Sequence, residues 1–188
     1  VIPPLDYVDL MVQHKKNRDV MFDFMGELDT SPIALITRRY PSIAILKPFN
    51  TCAQICVYCQ RNWEIDQVLD PKATPTRKAL EEALSWFDRH RSVDDVLITG
   101  GDPCIMKDET IRKILDVLCQ KKHIKRIRIG TRTPVVLPTR WTDELVNIFS
   151  TYHEPGNREV AIVTHFEHSY EITPEALQAV QKIKKAGM

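Results

Sequence analysis

Cys52-Ala-Gln-Ile-Cys56-Val-Tyr-Cys59 gathers three of the five cysteines of this 188-residue chain into eight residues. The segment ahead of it, Ser42-Ile-Ala-Ile-Leu-Lys-Pro-Phe49, is apolar enough for a buried strand. The thiols therefore leave the end of a strand on a tight loop, where α/β folds usually carry function. Three thiolates on a metal centre leave one position open, which suits a reacting site better than a closed structural clip.

The rest of the chain repeats that rhythm. After Asp70-Pro71 a helix is expected from about Thr76 to His90, with Ala79, Leu80, Ala83, Leu84 and Phe87 on one face. Asp95 to Thr99 reads as a second strand ending in Gly100-Gly-Asp-Pro103, and a helix from about Asp108 to Gln120 turns Ile111, Ile114, Leu115 and Leu118 inward. Arg126 to Gly130 is a third strand that runs into Thr131-Arg-Thr-Pro134. Thr142 caps a helix to about Tyr152, and Glu159 to Thr164 is a fourth strand ending in His165-Phe-Glu-His168. Thr173 caps the last helix, with Pro174 at its first position. Parallel strands need such crossover helices, and their carboxyl ends meet on one face. The expected architecture is α/β, with four loops delivering polar residues to the same place. Residues 1–35, with Tyr7, Leu10, Met11, Val20 and Phe24 at helical spacing, form a helical lead-in to a domain over 36–188. The turn Asp29-Thr-Ser-Pro32 closes that lead-in.

Composition narrows the classes. A formal net charge of +1 gives no electrostatic case for nucleic acid or an anionic membrane, and no apolar run approaches the roughly 18 residues of a spanning helix. An odd number of clustered cysteines is unlike a secreted disulfide framework, so a reducing cytoplasm is expected. The chain opens on valine and stops just past a helix-like segment, so further elements are expected after Met188. A zinc site is the plain alternative for the triplet, with Cys104 or Cys119 as fourth ligand. A tight turn is the plain alternative for Gly100-Gly101.

Cys-x-x-x-Cys-x-x-Cys with Tyr58 before the last cysteine resembles the radical S-adenosylmethionine (SAM) superfamily, and the motifs that accompany it narrow the resemblance. Arg39-Tyr-Pro41, Gln60-Arg61, Gly100-Gly-Asp-Pro103, Gly130-Thr-Arg-Thr-Pro134 and Thr164-His-Phe-Glu-His168 followed by Glu171-Ile-Thr173 stand in an order similar to that of the lysine 2,3-aminomutase family. The fold implied is a partial (β/α) barrel of the radical SAM type, interrupted after about four βα units. The resemblance implies that Cys52, Cys56 and Cys59 hold a [4Fe–4S] cluster. It also implies SAM contacts from Tyr58, Gly100, Gly101, Asp102, Thr131, Arg132 and His165, with Arg132 on the SAM carboxylate. Arg39 and Tyr40 would hold the phosphate of pyridoxal 5'-phosphate (PLP), and Arg61 the carboxylate of an amino-acid substrate. No side chain is assigned a catalytic role, because the radical would arise at the cluster and move an amino group on a PLP-bound amino acid.

Departures are visible too. Ile43 stands where the family has a further arginine, Asn62-Trp63 follow Arg61 in place of more arginines, and Glu167 and Ser169 replace Asn and Pro. The lysine that carries PLP would lie beyond Met188, leaving the fourth strand as an edge and homo-oligomerisation open. An electron donor for the cluster is the other partner implied. Two alternative readings use the same residues: a diverged radical SAM enzyme with another substrate and no PLP, and a metal-stabilised binding protein without turnover.

Overall fold

The protein is described by a computed structural model covering residues 5–16, 23, 25–56, 58–59, 61, 65, 68–70 and 73–188. Val20, Phe24, Gln60, Asn62, Trp63 and Pro71 lie outside the described residues, as do the side chains of Tyr7 and Met11.

The centre is a five-stranded sheet with strands in chain order. Strands β2 (Ile43–Phe49), β3 (Asp95–Gly100), β4 (Arg126–Gly130) and β5 (Glu159–Val163) are parallel, and a two-residue strand β1 (Ile36–Thr37) pairs antiparallel with β2. The edge strand β1 is an addition to the sequence reading. Two residues carry no period-2 pattern, so only the pairing of Ile36 with Leu46 and Thr37 with Ile45 defines it.

Sequential strand order with crossover helices is the architecture of a (β/α) barrel, here a partial one. The helices are α2 (Arg77–Arg89), α3 (Asp108–Cys119), α5 (Asp143–Thr151) and α6 (Pro174–Lys185), with a one-turn helix α4 (Thr133–Val136) directly after β4. Thr76, Thr142 and Thr173 each accept a hydrogen bond from the backbone N–H three residues on, so all three expected caps form. Alternation along the strands assigns the two faces. Ala44, Leu46, Val96, Ile98, Ile127, Ile129 and Val160 are at most 3% exposed and pack against the helices with Phe87, Leu115, Leu118 and Phe149. Trp86 joins them, a residue outside the expected apolar stripe of α2. The opposite face carries Ile43, Ile45, Lys47, Leu97, Arg128 and Ala161, all half-buried, and is the open inner face of the barrel. At its amino end Arg128 donates to Asp95 at 2.8 Å and Arg126 to Glu159 at 3.1 Å.

The lead-in forms helix α1 (Leu5–Lys16), on which Leu5, Val8, Leu10 and Val12 are exposed. The turn that follows is tied down more firmly. The Asp23 carboxylate accepts from the Glu27 and Leu28 amides, and the Thr30 and Ser31 hydroxyls donate to the Gly26 and Glu27 carbonyls. Among the described residues no helix is long and apolar enough to cross a membrane.

Candidate active site at the carboxyl end of the sheet

The cysteine loop leaves β2 at Phe49, and backbone bonds pin its base. Asn50 donates to the Ala73 carbonyl, Leu69 to the Cys52 carbonyl, and the Asp70 amide to the fully buried Thr51 hydroxyl. Within the loop Cys59 N–H donates to the Cys56 carbonyl, a turn that brings the last two thiols around. All three thiols are reduced and half-buried. The Cys52 thiol is pushed up to about 12, by burial first and then by the Asp102 carboxylate, with smaller contributions from Cys59 and Cys56. Such a thiol gives up its proton when a cation replaces it.

The glycine pair after β3 lies directly against this loop. Gly101 N–H donates to the Phe49 carbonyl and Asp102 N–H to the Thr51 carbonyl, both at 2.8 Å. A Cβ on Gly101 would lie 2.3 Å from the Thr51 carbonyl oxygen, and Gly100 has φ +113°, a conformation open to glycine. The close approach that these glycines allow is therefore made to the cysteine loop itself.

Asp102 and Thr131 depart from the sequence reading, which turned them toward SAM. Both are 6% exposed. The Asp102 carboxylate accepts from the Thr131 hydroxyl (2.6 Å), the Arg132 amide (2.8 Å) and the Cys104 amide (3.0 Å). Thr131 also shares a hydrogen bond with the Thr133 hydroxyl, which accepts from the Trp141 indole at 3.0 Å. A buried carboxylate requires such partners. The two side chains clamp the loops after β3 and β4 from below.

Arg132 is where the loops converge. Its backbone is held by Asp102, one guanidinium nitrogen donates to Cys56 Sγ at 3.1 Å, and the other reaches Glu171 at 2.8 Å. Glu167 pairs with the same guanidinium and accepts from the Tyr58 hydroxyl. Glu171 is buried and also accepts from the Glu167 amide. Burial opposes its charge, but the Glu167 amide and the Arg132 guanidinium prevail and lower it to about 2. His165 is exposed, with its ring edge-on to Tyr58 at 6.1 Å. The loops after β2, β3, β4 and β5 thus meet around one arginine. Sequence reading left Glu167 and Glu171 without roles. Their signal was two acidic residues after β5, the strand paired in register with the one that ends before Arg132.

Arg61 is also close by. It donates to Glu27 at 2.9 Å and to the Asn50 side chain at 3.3 Å, and Lys47 donates to the same Glu27 oxygen at 3.2 Å. Arg39 and Tyr40 stand at the other end of β2 from the thiols, but Arg39 Nη1 donates to the Met25 carbonyl at 3.3 Å, on the same lead-in turn as the Glu27 that holds Arg61. They sit exposed on the turn between β1 and β2, at the amino end of the sheet, where the neighbouring Arg38 donates to Ser92. The length of β2, roughly 20 Å at ~3.3 Å per residue, separates them from the thiols. The reason is topological: the chain enters β2 from that turn, and the cysteines leave from its other end. Cys104 is wholly buried in the core, and Cys119 ends α3 at the amino side of the sheet. Neither supplies a fourth thiol, and among the described residues no three His, Cys, Asp or Glu side chains are grouped to hold a single ion.

Comparison with known proteins defines the class: a model of the radical SAM superfamily matches residues 46–188, and the chain belongs to that superfamily. Its relatives place it within the lysine 2,3-aminomutase family. It is 50% identical to an uncharacterized KamA family protein of Methanocaldococcus jannaschii, over 98% of this chain and 29% of that protein. It is 39% identical to glutamate 2,3-aminomutase of Clostridioides difficile, over 88% of this chain and 37% of that enzyme. With L-lysine 2,3-aminomutase of Methanococcus maripaludis the identity is 35%, over 89% of this chain and 37% of that enzyme. The chain spans about a third of the length of these curated relatives.

The superfamily implies a [4Fe–4S] cluster and SAM, and the donor set fits them. Three reduced thiols on one pinned loop suit iron–sulfur ligation, where the ligands spread over a cluster and need not close on one ion. The guanidinium beside Cys56 is a suitable donor both to a cluster sulfur and to a carboxylate.

Proposed function

We infer that the chain carries the cluster and SAM portion of an enzyme that moves an amino group between adjacent carbons of an amino acid. The supporting observation is the convergence on Arg132, whose guanidinium touches a thiol of the cysteine motif while its backbone is locked to the glycine loop. The aminomutases among its relatives support the reaction class.

Cys52, Cys56 and Cys59 would hold the cluster, which together with SAM supplies one-electron reductive cleavage and a hydrogen-abstracting radical. The chain's own residues provide placement and charge. Asp102 fixes the β4 loop relative to the β3 loop, so Arg132 presents its guanidinium at a set distance from the thiols. Glu171 and Glu167 orient that guanidinium and balance its charge where it is largely buried. A carboxylate arriving beside Cys56 meets a planar two-donor fork. Tyr58 and His165 stand edge-on to each other at 6.1 Å beside the loop. Arg61 is the cation for an amino-acid carboxylate. A one-electron donor is required to turn the site over.

Arg39 and Tyr40 are the residues that would hold a PLP phosphate; Arg39 bonds the Met25 carbonyl, two residues from the Glu27 that pairs with Arg61, and no step is derived through that cofactor. A second reading, a family member with radical chemistry on another substrate, is supported by Ile43 and Asn62-Trp63, where the chain departs from the family pattern.

Anaerobic reconstitution of the full-length protein tests the proposal. The expected result is a [4Fe–4S] paramagnetic signal that changes on adding SAM, and 5'-deoxyadenosine formation that rises with an amino acid and yields its 3-amino isomer. Zinc without iron would refute the enzyme reading. Cleavage without an isomerised amino acid would favour the second one.

A further inference from the structure

We propose that Lys47 and Arg61 form a two-cation seat for a carboxylate on the inner face of the barrel, that Glu27 occupies it in this structure, and that the carboxylate of an amino-acid substrate takes the place of Glu27. This rests on the reading of the site as an amino-acid radical enzyme.

The strand around Lys47 is apolar on both sides, Ile43-Ala-Ile-Leu and Pro48-Phe49, so an ammonium there needs a specific partner. Alternation turns Lys47 to the inner face, away from Leu46 and Pro48. It flanks the glycine loop, since its Cβ lies 3.0 Å from the place where a Cβ on Gly100 would stand. Arg61 arrives from the other side, just past the cysteine motif, with Asn50 accepting from its second nitrogen. The two side chains are 16% and 13% exposed, and they converge on a single oxygen, Glu27 Oε2, at 3.2 and 2.9 Å. Two cations fixed on one point are a preorganised carboxylate receptor.

The group they hold comes from outside the sheet. Glu27 belongs to the lead-in turn, which is stabilised by its own bonds from Asp23, Thr30 and Ser31. That turn keeps its hydrogen bonds if the Glu27 side chain swings out, so the carboxylate is exchangeable without unfolding the sheet. A second ammonium on the ligand would add like charge to two cations. Acidic or uncharged amino acids are therefore favoured over diamino acids.

The test measures equilibrium binding of L-glutamate, L-alanine and L-lysine to the reconstituted full-length protein by calorimetry. Glu27→Gln removes the competing charge and should bind L-glutamate at least fivefold tighter. Lys47→Met should bind it at least tenfold weaker, Lys47→Arg within threefold of the unsubstituted protein, and L-lysine should bind more weakly than L-alanine. If Lys47→Met does not fold, Lys47→Arg and Glu27→Gln still decide the matter. Unchanged or weaker binding by Glu27→Gln, or no amino-acid binding by any form, overturns the seat and leaves Glu27 a structural brace. The cluster signal with and without SAM is recorded on the same samples. A normal SAM response with unchanged Glu27→Gln affinity overturns the seat alone, whereas loss of the SAM response in the unsubstituted protein overturns the enzyme reading.

Discussion

Gly101→Ala tests the contact on which the site is built. The added Cβ would lie 2.3 Å from the Thr51 carbonyl oxygen and 2.4 Å from its amide nitrogen. Both are backbone atoms, so no side-chain rotation relieves the clash. The oxygen must retreat 0.7 Å to reach 3.0 Å, the distance below which real Cβ contacts essentially never occur. Overpacking of this kind costs about 1–3 kcal/mol. The movement also loosens the bonds from Gly101 to Phe49 and from Asp102 to Thr51, at ~0.5–1.5 kcal/mol each. Together these give about 2–6 kcal/mol, a large share of the ~5–15 kcal/mol by which a domain is stable. Thr51 immediately precedes Cys52, so the displacement reaches the first thiol. Gly156→Ala is the control: its φ is +81° with no atom within 4 Å of the added Cβ, so it tests backbone strain alone. Anaerobic denaturant titration and iron and sulfide content are the assays. Gly101→Ala should lose stability by the stated amount and retain less than half the iron, while Gly156→Ala retains all of it. A Gly101→Ala protein with full iron and the same midpoint as the control would refute the reasoning.

Two further outcomes follow from the polar pairs. Glu171→Gln withdraws a charged acceptor from Arg132, a bond of about 1.5–3 kcal/mol, and should weaken SAM binding roughly tenfold or more; the SAM concentration that half-changes the cluster signal measures it, and an unchanged value would show that Glu171 does not orient Arg132. Burial first, and then the bond to Asp116 at 2.5 Å, raise the Tyr152 phenol to about 12. Its stabilisation is complete below the unfolded value of about 10 and lost as pH rises toward 12. Tyr152→Phe should therefore flatten the fall in stability over that range, read from denaturant midpoints and phenolate absorbance.

The parallel framework was legible because its signals are local. Val96 and Ile98, or Ile127 and Ile129, alternate within one strand, and each capping threonine sits next to the helix that it starts. The cysteine and glycine loops were legible for the same reason. Side-chain direction was not. Nothing in Gly-Gly-Asp-Pro states that the Asp102 carboxylate turns inward to Thr131 and Arg132, because that follows from a loop thirty residues later. The partner of Arg39 was not legible for a related reason: it donates to the Met25 carbonyl, fourteen residues earlier, a contact that nothing local states.

The pairings that local reading missed share one property, and it bears on how ligands bind. Arg132 is held by Glu167 and Glu171, while Lys47 and Arg61 are held by Glu27. The cations at this face therefore already have internal carboxylates. An incoming carboxylate does not simply add an ion pair; it exchanges one partner for another. The Coulomb energy of the new contact is then largely offset by that of the contact it replaces, and affinity depends on the difference between the two geometries. Such a site is charged and folded before any ligand arrives, and it discriminates by fit around the carboxylate more than by charge alone. Substitutions at the internal glutamates should consequently alter ligand affinity in both directions, tightening where the glutamate competes, as at Glu27, and weakening where it orients, as at Glu171.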